Sequence, residues 1–272
     1  MQVLRFASIY KEAAFSAASH ANLHRWAAGI ANQAFQQVMG RAPTPAERQI
    51  VMAVSDLESN YGKGWKEGQG SGSHNWGAVQ TKNKENSFIH QDSSAQGKYK
   101  TNFKAYPDDI AGAADVVRNL FKANGKQRMP DPNNANRAMG ASINGPGRSE
   151  LIKAATQAGD TNAFSRAMWY TSYFEGTATD FAERIRVHAN AIQNAVNSIA
   201  SALGEPAAWS QQSPGNFLPV TSDSAVLNRI SGMSKSTNVN VPIAQKPQQS
   251  MESMLPQKPQ KDESLESLLW FQ

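Results

Sequence analysis

The chain of 272 residues has 40% hydrophobic content, a formal net charge of +5 and a pI near 9.4, which is enough apolar material for one real core spread over one or two domains. It contains no cysteine, so disulfides, zinc-thiolate sites and thiol nucleophiles are excluded, while the positive charge favours anionic partners such as wall polymers, nucleic acid or membrane surfaces without choosing among them. No run nears the ~20 apolar residues of a membrane span, and the opening MQVLRFASIYKEAAF is broken by Arg5, Lys11 and Glu12 where a secretory signal needs an unbroken apolar stretch.

In chain order, residues 1–43 read as an N-terminal segment of one or two alanine-rich helices, with Phe6, Ile9, Tyr10, Ala13, Ala14 and Ala17 at near-helical spacing. Thr44, Pro45 and Glu47 then supply an N-cap, a first-turn proline and a capping-box acid, so a helix starts here with Ile50, Val51, Val54 and Leu57 as its buried stripe. Glu58 lies beside that stripe near the helix end. SFIHQDSS and GKYKTNFKAYP alternate with a period near two around a Ser/Gly turn and predict a β-hairpin. A helix follows Pro107-Asp108 with Ile110, Ala113, Ala114, Val117, Leu120 and Phe121 inward, another starts near Ser149, and a third runs from Asp160. The last is opened by Asp180 and Glu183 and carries Phe181, Ile185, Ile192, Val196 and Ile199. Residues 44–203 are therefore expected to form one mainly α domain with a small β-hairpin, an α+β arrangement. Residues 204–272 collect Pro, Gln, Ser and Asn as a flexible tail whose apolar end, ESLESLLWFQ, reads as a frayed terminus or a short docking helix.

The stretch SDLESNYGKGW carries the chemistry. A glutamate at the end of a half-buried helix, facing a glycine-rich loop with Tyr61, Trp65 and Trp76, is partly desolvated, and desolvation favours the protonated carboxyl. Such a group can protonate a leaving glycosidic oxygen, although taken alone a glutamate at a helix end is usually solvated or paired with a nearby lysine. His20 and His24 have the i, i+4 spacing of a helical metal pair, but no further ligand follows at metal-site spacing, and they read as a surface pair with no metal expected. Gly68, Gly70 and Gly72 lack the Lys-Ser/Thr of a phosphate loop, and the scattered Lys and Arg form no nucleic-acid motif.

The run ESNYGKGW followed by GSGSHNWGAVQ resembles the lysozyme superfamily, especially its glucosaminidase and lytic transglycosylase branches, in which a helix ends in Glu-Ser, a glycine-containing loop follows, and an Asn-x-Gly-x-x-Gln-like segment begins the hairpin. FKAYPDDIAGAADVV is similar to the family's second hairpin strand and the helix after it, and YTSYFEG to the tyrosine segment that closes the cleft, so the likeness covers about residues 44 to 200. INGPGRS resembles the Asn-Ala-Gly-Pro-Gly segment of soluble transglycosylases and is equally a simple turn.

The resemblance implies a lysozyme-like fold that cleaves peptidoglycan glycan strands without a cofactor. Glu58 would be the general acid and base. Gln80 would bind sugar amide or hydroxyl groups, Asn75 would touch substrate or shape the loop, and Tyr173 or Tyr170 would lie near the cleaved bond. Asp92, preceded by Glu85, would be the second carboxylate of a two-acid enzyme, and without it the chain resembles the one-glutamate transglycosylases. Trp65 and Trp76 would stack on sugars or anchor the loop. Similar enzymes ride in tailed-phage particles, so a virion location is expected, with delivery to the host wall and with the N-terminal helices or the tail contacting other virion proteins. The alternatives are a cytoplasmic phage endolysin, a chitinase-like glycosidase, and an inactive structural virion protein of the same fold.

Overall fold

A computed structural model of the protein describes residues 17–65, 70–94, 97–131, 138–174 and 181–211. Among them are helices α1 (Ala17–Met39), α2 (Pro45–Ser59), α3 (Asp109–Phe121), α4 (Arg148–Ala158), α5 (Thr161–Tyr170) and α6 (Phe181–Leu203), with strands β1 (Ser87–Ser94) and β2 (Gly97–Lys104). The fold is mainly helical with one two-stranded antiparallel sheet, in which Ser87 pairs with Lys104 and Ser94 with Gly97.

The central element is α2. Its start is the expected capping box, with Glu47 N–H donating to Thr44 Oγ1 at 3.2 Å and Thr44 N–H donating to the Glu47 carboxylate at 2.8 Å. Burial runs without a break from Gln49 to Asp56, because α1, α3, α4 and α6 all pack on it. A helix enclosed on every side must satisfy its polar side chains internally, and Gln49 does so through the segment beyond α6. Its amide nitrogen donates to Pro206 O at 3.0 Å and to the Glu205 carboxylate at 3.1 Å, while its oxygen accepts from Ala208 N–H at 2.8 Å. Trp209, also buried, donates from Nε1 to Ala46 O at 2.8 Å.

The helix before α2 and the segment after α6 share in this packing. Ala27, Ala31, Ala34, Phe35 and Val38 of α1 belong to the same core as α2, α3 and α6, and small alanine side chains let α1 approach closely. The segment just past α6 is held to α2 through Gln49 and Trp209. Residues 1–16, with the Phe6 to Ala14 pattern, and 212–272, with the LLWFQ end, lie outside the described residues. A second, small cluster of Trp65, Ala78 and Phe103, joined by Phe88, fills the underside of the hairpin.

Candidate active site

Glu58 sits in the last turn of α2, and both of its carboxylate oxygens are shielded from solvent. The helix ends because Asn60 and Tyr61 adopt left-handed backbone, with φ of 49° and 56°. Ser59 then links the helix end to the segment that carries Gln80. Its hydroxyl donates to Trp76 O at 2.8 Å and accepts from Gly62 N–H at 2.8 Å. Gly62 itself has φ of +75° and packs against the His74 and Asn75 backbone, which is why a glycine stands there.

The loop from 73 to 80 is held rigidly. Asn75 is wholly buried; its Nδ2 donates to Val79 O at 3.1 Å and to Lys104 O at 2.9 Å, and its Oδ1 accepts from Val79 N–H at 2.9 Å. Both ends of the amide thus bond to backbone, which makes Asn75 a residue that shapes the loop. The tryptophans act as anchors too: Trp65 Nε1 donates to Asn75 O at 3.1 Å, and Trp76 Nε1 to Asp109 at 3.0 Å, both rings being buried. Gln80 lies at the loop's end, bridged antiparallel to Phe103 of β2. Its amide nitrogen is buried and has no hydrogen-bond partner among the described residues.

Tyr173, just after α5, is within electrostatic reach of Glu58. Burial, and next the Glu58 carboxylate, push the phenol's pKa well above its ordinary value, with Asp115 adding to the effect and Arg148 opposing it. The Tyr173 hydroxyl is buried and has no hydrogen-bond partner among the described residues. Arg148, at the start of α4, holds its guanidinium 5.2 Å from the Tyr173 ring. Its Nε donates to Thr171 Oγ1 at 2.9 Å and its Nη2 to Thr171 O at 2.6 Å. Asp115 of α3 accepts from Tyr106 at 2.6 Å and from Lys104 at 3.1 Å.

Of the residues expected from the sequence, Glu58 and Tyr173 are therefore brought into one electrostatic environment, and Gln80 is tied to Glu58's helix through Ser59. Tyr170 is elsewhere: it is buried, its pKa is raised by that burial, and it lines a pocket of about 300 Å³ between α4 and α5 with Leu151, Ala155 and Arg166. Asp92 lies on β1 opposite Tyr99, and its side chain is outside the described residues. Glu85 is exposed. Arg148, Asp115 and Tyr106 were not among the expected residues. The signal for Arg148 was its place directly after the Gly-Pro-Gly turn; Asp115 and Tyr106 join only through the tertiary fold.

No protein-family model and no curated protein matches the chain. Among solved structures it is similar to the catalytic domain of the autolysin Auto from Listeria monocytogenes, at 14% identity and a TM-score of 0.39, over 71% of this chain and 90% of that one. A likeness at that level assigns no chemistry.

Proposed function

We propose that the protein cleaves the glycan strands of bacterial peptidoglycan, with Glu58 as proton donor to the leaving glycosidic oxygen. The observation that supports this most directly is the burial of Glu58 at the end of α2 within electrostatic reach of Tyr173. A carboxyl group withdrawn from bulk solvent at the end of a helix is the kind of proton donor that glycoside cleavage requires. The ordered resemblance of Glu58-Ser59, the glycine loop, Asn75 to Gln80 and the tyrosine segment to the lysozyme superfamily points the same way.

In this mechanism the Glu58 proton passes to the bridging oxygen as the C1–O bond breaks, and positive charge gathers on C1 and the ring oxygen. The carboxylate then takes a proton from the nucleophile. That nucleophile is water in a hydrolase, or the muramic acid 6-hydroxyl in a lytic transglycosylase, where an anhydro sugar forms. The Tyr173 hydroxyl and the Gln80 amide nitrogen supply donors for sugar hydroxyl and acetamido oxygens. Because both Glu58 oxygens are shielded, a glycan must displace what covers them before the proton moves.

The test is digestion of purified peptidoglycan followed by mass spectrometry of the ends: anhydro-muramic, reducing muramic and reducing glucosamine ends differ in mass. Glu58→Gln is expected to keep the fold and lose at least ~100-fold in rate, the scale of a general-acid contribution. Asp92→Asn separates the two routes, since an equally large loss marks a two-carboxylate hydrolase and a small one the single-glutamate route. Wild-type protein that releases no fragments, or a Glu58→Gln variant as active as wild type, overturns the assignment.

A further inference from the structure

The histidines that read as a surface pair in the sequence are not one. His24 is fully buried, and α2 brings Asp56, also buried, against both. One ligand-capable atom from each of His20, His24 and Asp56 lies within 4.8 Å of the other two. His20 Nε2 and Asp56 Oδ1 are 3.3 Å apart, close to the ~3.4 Å that separates two ligands placed ~2.1 Å from a tetrahedral ion.

The His24 ring is gripped from both sides, with Nδ1 2.7 Å from the Tyr61 hydroxyl and Nε2 3.1 Å from Ser198 Oγ. A hydroxyl can donate or accept. An ion would take the place of one of these hydroxyl contacts on the ring, while the other ring nitrogen keeps donating its N–H to the hydroxyl beside it, the outer bond that fixes the tautomer of a ligating histidine. The His20 side chain is 33% exposed, which leaves a route of entry and room for water as a further ligand.

We propose that His20, His24 and Asp56 form a binding site for one divalent transition-metal ion of the zinc type, fastening α1 to α2. Two imidazoles and one carboxylate suit Zn²⁺, Co²⁺ or Ni²⁺ and not the all-oxygen preference of Ca²⁺ and Mg²⁺. The ion ties down the helix that carries Glu58 without taking part in the acid chemistry proposed there, and the proposal stands whether or not the protein cleaves glycans.

The experiment uses the full chain without a histidine tag, stripped with a chelator, then titrated with Zn²⁺ by calorimetry and with Co²⁺ by visible absorption. The expected result is one ion per chain, a higher melting temperature in excess Zn²⁺, and no competition from millimolar-range Mg²⁺. His20→Ala and His20→Gln are expected to keep the wild-type circular dichroism and bind Zn²⁺ at least ~10-fold more weakly, while His74→Ala binds as wild type. Because His20 is partly exposed, these variants test the ligand without emptying the core, and His20→Gln retains a donor for Asp56. No saturable uptake, or His20 variants that bind Zn²⁺ as tightly as wild type, overturns the proposal.

Discussion

The Arg148 guanidinium faces the Tyr173 ring at 5.2 Å and is held there by two hydrogen bonds to Thr171. A buried cation thus faces a phenol whose electrostatic neighbours also include the carboxylates of Glu58 and Asp115. The phenol stays protonated, since burial and the two carboxylates outweigh the guanidinium, so the hydroxyl is a donor at every working pH. A buried hydroxyl that finds no partner among the described residues is a cost to the fold of about 1–3 kcal/mol.

Tyr173→Phe removes that hydroxyl and keeps the ring under Arg148. The melting temperature is expected to stay level or rise, whereas wall-lysis activity falls by about 10-fold, near one lost hydrogen bond to a bound group. Thermal scans and lysis rates on one preparation decide it. A clear loss of stability would show that the hydroxyl serves the fold, and unchanged lysis would remove Tyr173 from the site.

Asn75→Ala tests the opposite kind of residue. Its amide makes three hydrogen bonds to buried backbone, and removing it leaves those groups to be resolvated or strained. The expected cost is about 2–4 kcal/mol, read as a lower denaturation midpoint, with activity lost only to the extent that the loop carrying Gln80 loosens. Equal stability in the variant would contradict this account of the loop.

The elements were legible wherever their cause was local. Thr44 with Glu47, and Asp108 capping Ala111 N–H at 2.7 Å, announce their helices within four residues of sequence. The alternating Phe88, His90 and Phe103 announce the hairpin in the same way. What stayed hidden depends on partners far along the chain. Gln49 looks like a surface residue until residues 205–208 close over it. Trp209 sits in a stretch whose composition reads as tail, and His24 reads as exposed until Tyr61 and Ser198 meet it. Glu58 stood out because the glycine loop follows it directly, whereas Arg148, Asp115 and Tyr106 reach Tyr173 only through the packing of α3, α4 and the turn after α5.

Gly112 shows how closely α3 is pressed onto the loop. A Cβ built there would stand 1.8 Å from His74 O, far inside contact distance, and the atom it meets is backbone. Gly112→Ala is therefore expected to force α3 away from the 73–80 loop and to destabilise by about 3 kcal/mol or more. Gly29→Ala on α1, where nothing lies within 4 Å, is expected to be neutral or to stabilise by up to ~1 kcal/mol through helix propensity. Urea denaturation of both variants checks the contrast, and similar midpoints for the two would refute it.

Acid sensitivity follows from His188. The residue is buried on α6, its Nδ1 lies 2.8 Å from Ser165 Oγ, and its ring stacks on Phe174 with centroids 4.1 Å apart. Burial lowers its pKa from 6.5 to about 3, so the folded chain refuses a proton that the unfolded chain accepts below pH 6.5. The stability contributed by the neutral ring is complete above that pH. It is lost as pH falls toward 3, at about 1.4 kcal/mol per pH unit for one proton taken up on unfolding. His188→Phe keeps the stack and cannot titrate. Its stability relative to wild type is expected to improve by about 2–3 kcal/mol between roughly pH 7 and pH 4.5, whatever its constant cost from the lost Ser165 contact. Denaturation midpoints measured across that range check it, and parallel pH profiles for the two proteins would mean that His188 is protonated in the folded state.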